Sequence, residues 1–183
     1  MSPLMWIGLV VVLIVLYGIS VYNKFVSLQT QVQNATSDVD VQLKRRSDLV
    51  PNLVETVKGY ANFESGTLEK VVQARNQYVS ATSFADKAAA DNQLAGALRQ
   101  LFALSESYPD LKANASFLDL QTQLSALEDT IQNARRYYNA TVREYTILTK
   151  SFPSNIVANI FGFGKEHFFE ITEAERVVPK VTF

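Results

Sequence analysis

The sequence predicts an all-α protein, with an N-terminal transmembrane helix leading into an elongated antiparallel (up-and-down) bundle of about four helices. Three observations predict it. The window Leu4–Val21 is apolar and uncharged, apolar residues then recur at three- and four-residue steps, and a seven-residue apolar repeat runs through the 117–148 region. The corresponding boundaries are 1–23 for the membrane anchor, 24–150 for the bundle and 151–183 for a Phe-rich C-terminal tail with a short helix.

The anchor comes first. No charged side chain precedes Lys24, and Leu4–Val21 contains twelve Leu, Ile or Val residues. Each favours insertion by a few tenths of a kcal/mol near the bilayer centre, which sums to about 5 kcal/mol. Eighteen helical residues span roughly 27 Å, close to the roughly 30 Å hydrocarbon thickness. Leu4, Ile7, Leu13, Leu16 and Val21 are apolar anchor positions, while Trp6 and Tyr17 suit the aromatic interfacial belts. A cleaved signal peptide would want a basic start, a shorter apolar core and a small-x-small site, whereas Ser20-Val21-Tyr22 is a poor cleavage context.

The first bundle helix is expected to continue from the anchor. Phe25, Leu28, Val32, Ala35, Val39 and Leu43 form an amphipathic stripe, and neither Gly nor Pro occurs between Val21 and Leu49. Pro51 predicts a kink or restart near Val50, after which Leu53, Val54, Val57 and Tyr60 resume the pattern. A second helix should open near Gly66 and carry Leu68, Val71, Val72, Tyr78 and Val79, followed by a connection over Ser80–Asp86. A third is predicted over Ala88–Ser105, and Tyr108-Pro109-Asp110 reads as a turn.

Asn114 is placed to cap a long helix from about Ala115 to Thr149. Its seam combines Phe117, Leu124, Ile131, Tyr138 and Tyr145 with Leu120, Leu127, Ala134, Thr141 and Leu148, three positions on. Such a helix is roughly 50 Å long and cannot bury its seam alone. Long neighbours are required, in this chain or another.

The tail is rich in Phe, with Phe161, Phe163, Phe168 and Phe169 among its residues and a short segment Ile156–Phe161 ahead of Gly162-Phe163-Gly164. It is expected either to cap the bundle or to present an aromatic interface to membrane or a partner subunit. Lys44, Arg45 and Arg46, with Pro51 and Asn52, form a second candidate interaction surface.

Chemistry is sparse. The absence of cysteine excludes disulfides, zinc–thiolate sites and Fe–S clusters. The lone histidine, His167, lacks the companions of a zinc or di-iron site and no G-x-S-x-G elbow presents a serine. Gly162-Phe-Gly-Lys165 fails as a phosphate loop, with Asn159 and Glu166 where Gly and Ser/Thr are required. Pairs such as Asp38/Asp40 and Glu128/Asp129 read as solvated faces. No cofactor, metal or catalytic residue is expected. With net charge −1 and acids surrounding the 44–46 cluster, nucleic acid is not an expected partner.

Several segments resemble the LemA family of bacterial membrane proteins. The most specific is Val39–Tyr60 (VDVQLKRRSDLVPNLVETVKGY), joined by Leu68-Glu69, Ala74-Arg75, Glu106–Asn114 (ESYPDLKAN), Ala134-Arg135, Tyr138-Asn139, Phe152-Pro153, Gly162-Phe163 and Phe168-Phe169-Glu170. Ser47 stands where many members carry a histidine. The resemblance implies a membrane helix and a helical-bundle domain without established enzymatic activity, and a branch of the family takes part in building magnetosome membranes. Together these readings predict a single-pass protein of the bacterial cytoplasmic (inner) membrane. Lys24 and Lys44–Arg46 favour a cytoplasmic domain by the positive-inside rule. The expected function is that of a non-enzymatic scaffold that self-associates and organises membrane. Its expected partners are the lipid bilayer, further copies of the chain and, in the alternative of an accessory or receptor subunit, other membrane proteins. An enzyme with an unfamiliar site is the remaining alternative.

Overall fold

A computed structural model of the protein describes residues 3–60 and 64–164. His167, Phe168, Phe169 and the rest of the tail from residue 165 lie outside the described residues. Among the described residues every regular element is helical: α1 (Pro3–Lys58), α2 (Ser65–Ser80), α3 (Phe84–Ser105), α4 (Pro109–Lys112), α5 (Ala115–Lys150) and α6 (Ser154–Phe161). The all-α class and the leading apolar helix are as predicted.

The described residues divide into two compact units. An anchor unit takes 3–37 and 136–164, and a bundle unit takes 38–60 and 64–135. Both α1 and α5 contribute to each.

In the anchor unit, Leu4, Trp6, Ile7, Leu13, Leu16 and Tyr17 are all exposed, as side chains intended for lipid would be, and burial begins at Val21. From there Phe25, Leu28, Val32 and Ala35 of α1 are buried, as are Tyr138, Val142 and Tyr145 of α5 and Val157 and Ala158 of α6. Phe25 meets Tyr145 edge-on, with ring centroids 5.9 Å apart, and stacks on Phe163 at 4.6 Å. The chain can turn back this sharply because Gly162 has φ 73°, a left-handed conformation that costs glycine nothing. The Phe163 amide then donates to the Ala158 carbonyl at 2.9 Å, closing α6.

In the bundle unit a single apolar core gathers Val50, Leu53 and Val57 of α1, Leu68 and Val71 of α2, Leu94, Leu98 and Leu101 of α3, Leu111 of α4, and Phe117, Leu120 and Leu124 of α5. Asn114 caps α5 as predicted: its Oδ1 accepts from the Phe117 amide at 3.0 Å, and its Nδ2 donates to the Tyr60 hydroxyl at 3.0 Å.

Four expectations are corrected. First, Pro51 does not restart the helix, since α1 runs unbroken through it to Lys58. An interior proline costs about 3 kcal/mol. Here its ring is exposed while Val50, Leu53, Val54 and Val57 on either side are buried, so packing offsets the lost backbone bond. Second, the turn at Tyr108-Pro109-Asp110 contains a helical turn, α4. Proline at its first position has the right φ and needs no donor, and Leu111 draws the segment into the core. Third, α3 starts at Phe84 rather than Ala88, because the Ser83 hydroxyl accepts from the Asp86 amide and caps it there. Fourth, the seam of α5 is asymmetric. Phe117, Leu124, Ile131, Tyr138 and Tyr145 are all buried, but Leu127, Ala134 and Leu148 of the second series are only half-buried. Buried Thr141 satisfies its hydroxyl on the Tyr137 carbonyl at 3.0 Å.

Candidate functional site

The apolar stripe of α1 in the bundle unit advances through Val39, Leu43, Val50, Leu53 and Val57, and Arg46 occupies the core position between Leu43 and Val50. On α3 the stripe Leu94, Leu98, Leu101 and Ser105 is likewise begun by Asp91. Helix packing therefore carries both charges inside, where Arg46 is 2% and Asp91 0% exposed. The Arg46 Nη1 donates to both Asp91 carboxylate oxygens, at 3.1 and 3.0 Å, and Nη2 to Glu128 of α5. Arg135 of α5 donates to the Asp91 Oδ2 at 2.7 Å.

Two cations and two anions thus close on one another, and the cluster is neutral. Burial pushes the Asp91 carboxyl above its ordinary value, and Arg46 and Arg135 hold it back in part. Charges taken out of water this completely persist only when paired and hydrogen-bonded, as these are.

A cavity of about 420 Å³ opens beside the cluster, lined by Arg46, Glu128 and Arg99 together with Leu98, Phe102 and Leu124. Its volume lies within the range of small-molecule sites. The Arg46 guanidinium and Glu128 carboxylate in its lining are engaged with each other.

A second polar cluster in the same unit joins α1, α2 and α3. Lys87 of α3 donates to Asp40 of α1 at 2.8 and 2.9 Å. Buried Tyr78 of α2 is held neutral by its burial first and by the charge of Asp40 second, and it hydrogen-bonds Asp40. A phenol raised in this way is a donor and not a base. Among the described residues no group of three His, Cys, Asp or Glu side chains is placed to hold a metal ion.

In the anchor unit the rings gather where α1 leaves its apolar span. Tyr22 meets Phe161 at 4.8 Å and Phe163 at 5.6 Å between ring centroids.

A family model for LemA matches residues 35–183, most of the chain, beginning after the apolar span. The chain belongs to the LemA family. It is 32% identical to Protein LemA of Metamycoplasma hominis over 159 residues, covering 85% of this chain and 71% of that protein. It is 26% identical to the Magnetosome protein MamQ of Magnetospirillum gryphiswaldense over 174 residues, covering 81% of this chain and 64% of the relative. Magnetosome protein MamQ 1 of Paramagnetospirillum magneticum matches at 26% over 175 residues with the same coverage. The chain thus spans less than two thirds of these magnetosome relatives. Family and span together describe a membrane-associated helical protein.

For this LemA-family chain the candidate surfaces divide as follows. Lys44, Arg45, Pro51 and Asn52 are exposed on the bundle-unit part of α1, with Lys44 paired to Asp48 at 2.8 Å one turn on. Arg46 is not part of that surface. It follows Leu43 by three residues and precedes Val50 by four, so the periodicity that buries them buries it too. Phe161 is exposed and Phe163 half-buried in the anchor unit. The two candidate surfaces therefore belong to different units. The burial of Arg46 is legible in the α1 stripe and that of Asp91 in the α3 stripe, three residues before Leu94, whereas Glu128 and Arg135 have no comparable signal.

Proposed function

We propose that this LemA-family protein is a non-enzymatic, membrane-anchored scaffold that self-associates and organises membrane. The carrying observation is that one unbroken 56-residue helix, α1, supplies both the apolar span and the first helix of the bundle unit. Span and bundle thus share one helical element, which suits a structural part better than a domain that must search for substrate. The self-neutralising core cluster supports the non-enzymatic reading, since its charged groups are occupied with one another. Relatives that are magnetosome proteins by name favour a role tied to membrane structure. The chain is read as a protein of the bacterial inner membrane with its bundle on the cytoplasmic side, and as a partner of the bilayer and of its own copies.

Crosslinking of the full-length protein in native membranes tests this. A ladder ending at one discrete oligomer is the expected result, and a strictly monomeric protein in both membranes and mild detergent overturns self-association. The exposed strip Lys44, Arg45, Pro51 and Asn52 favours a second reading, an accessory subunit docking another envelope protein. That reading requires a stoichiometric heterologous partner in purification, lost on charge reversal at Lys44 and Arg45.

A further inference from the structure

The short helix α6 buries Ser154, Val157 and Ala158 but leaves a large apolar face uncovered. Ile156 and Phe161 are exposed, Ile160 is 70% exposed, and Phe152 just ahead of the helix is 81% exposed. Large apolar side chains left uncovered on adjacent turns mark a surface that something else covers.

The position of α6 identifies the cover. Its C-terminal end rests on Tyr22, the residue after the last anchor position Val21, with Phe161 at 4.8 Å, and Phe163 stacks on Phe25. With α1 read as the span, this contact sets the C-terminal end of α6 beside the residue where the apolar window ends. Tyrosine favours that level because its ring is apolar and its hydroxyl reaches water, as at Tyr22.

Charge points the same way. The chain contains no acidic residue before Asp38, and Lys24 is the only charged residue ahead of it. Between Glu144 and Glu166 the only charged residues are Lys150 and Lys165. The sequence on both sides of the Tyr22–Phe161 contact is thus free of acids, the composition that anionic headgroups tolerate.

We propose that α6, with Phe152, is an interfacial helix that seats Ile156 and Ile160, one turn apart on its uncovered face, in the leaflet where α1 emerges, while Phe161 ties its C-terminal end to Tyr22. This gives the protein a second lipid contact beside its span. The inference rests on the reading of α1 as a membrane span and extends it to a depth and an orientation for the anchor unit.

The absence of cysteine allows site-specific labelling of the full chain. Ile160→Cys, Leu13→Cys and Val79→Cys variants, each carrying an environment-sensitive fluorophore, are reconstituted in phosphatidylcholine–phosphatidylglycerol vesicles with or without brominated acyl chains. All three sites are exposed, so none of the substitutions touches the core. Brominated lipid should cut the emission of the label at position 160 by roughly half and aqueous iodide should have little effect, with the reverse at position 79. A label at 160 that follows the one at 79 overturns the proposal. A label at 160 shielded from both quenchers also overturns it, because a second protein surface then covers α6. The label at position 13 separates the two failures. If lipid quenches it and not the label at 160, only the interfacial helix falls; if lipid fails to quench it, the span reading falls as well.

Discussion

At the scale of single residues, Arg46 concentrates the stability argument. It supports the ionised Asp91, whose carboxyl is raised by burial above its ordinary value of 3.8. With the folded value above the unfolded one, Asp91's own share of stability is fully present below the unfolded value and is lost as pH rises through the folded value. Arg46 limits that loss. Replacing it by methionine should cost about 3–5 kcal/mol near neutral pH, because Asp91 is left with Arg135 alone. The cost should shrink as pH falls through the raised Asp91 value, since a protonated Asp91 no longer needs a cation. Urea unfolding of wild type and Arg46→Met at stepped pH reads both effects. A pH-independent difference between them would contradict the pairing. The burial of Arg46 was legible in its register with Leu43 and Val50, but an arginine among lysine, arginine and aspartate neighbours reads as solvated. The pairing itself could not be read: Asp91 begins the α3 stripe, but it and Glu128 lie 45 and 82 residues away, and nothing local encodes a pairing at that distance.

At the scale of elements, α5 shows what periodicity does and does not determine. The series from Phe117 to Tyr145 was legible, and all five of its members are buried. The second series was legible only as candidates, because how deeply each is covered depends on which neighbour faces it. Ile131 is fully buried and Leu127 only half-buried. Ile131→Asp should therefore cost several kcal/mol by placing an unpaired charge in the core, and Leu127→Asp clearly less, since its carboxylate can reach water. Thermal unfolding followed by circular dichroism ranks the two, and equal losses would contradict the asymmetry. The capping of α5 by Asn114 was legible because the cap is local chemistry. The persistence of α1 through Pro51 was not, because local chemistry opposes it and burial on both sides overrides it. The interfacial assignment of α6 belongs to this scale too. Its one polar pair, Asn155 and Asn159, sits a turn apart beside Ile156 and Ile160 and does not locate the helix, which only the contact of Phe161 with Tyr22 does.

At the scale of the whole molecule, the apolar span was the most legible part, since eighteen uncharged residues, twelve of them Leu, Ile or Val, have the length and composition to cross a membrane. Family membership accounts for most of the chain after it. Neither reveals an activity, and the discrete oligomer expected from crosslinking is the property that separates a scaffold from a solitary anchored domain. The unbroken α1 also orders events in time. Its apolar stripe and Arg46 leave the ribosome early, but Asp91 and Glu128 follow only 45 and 82 residues later. At about 5–20 residues per second, Glu128 trails Arg46 by about 4–16 s. Through that interval the nascent chain carries an inserted span joined to a helix with an uncovered apolar face and an unmatched guanidinium. Chains arrested before Glu128 should accordingly be cut rapidly by added protease after the span, whereas chains extended through α5 should resist; equal resistance at both lengths would show that the bundle closes without its last long helix.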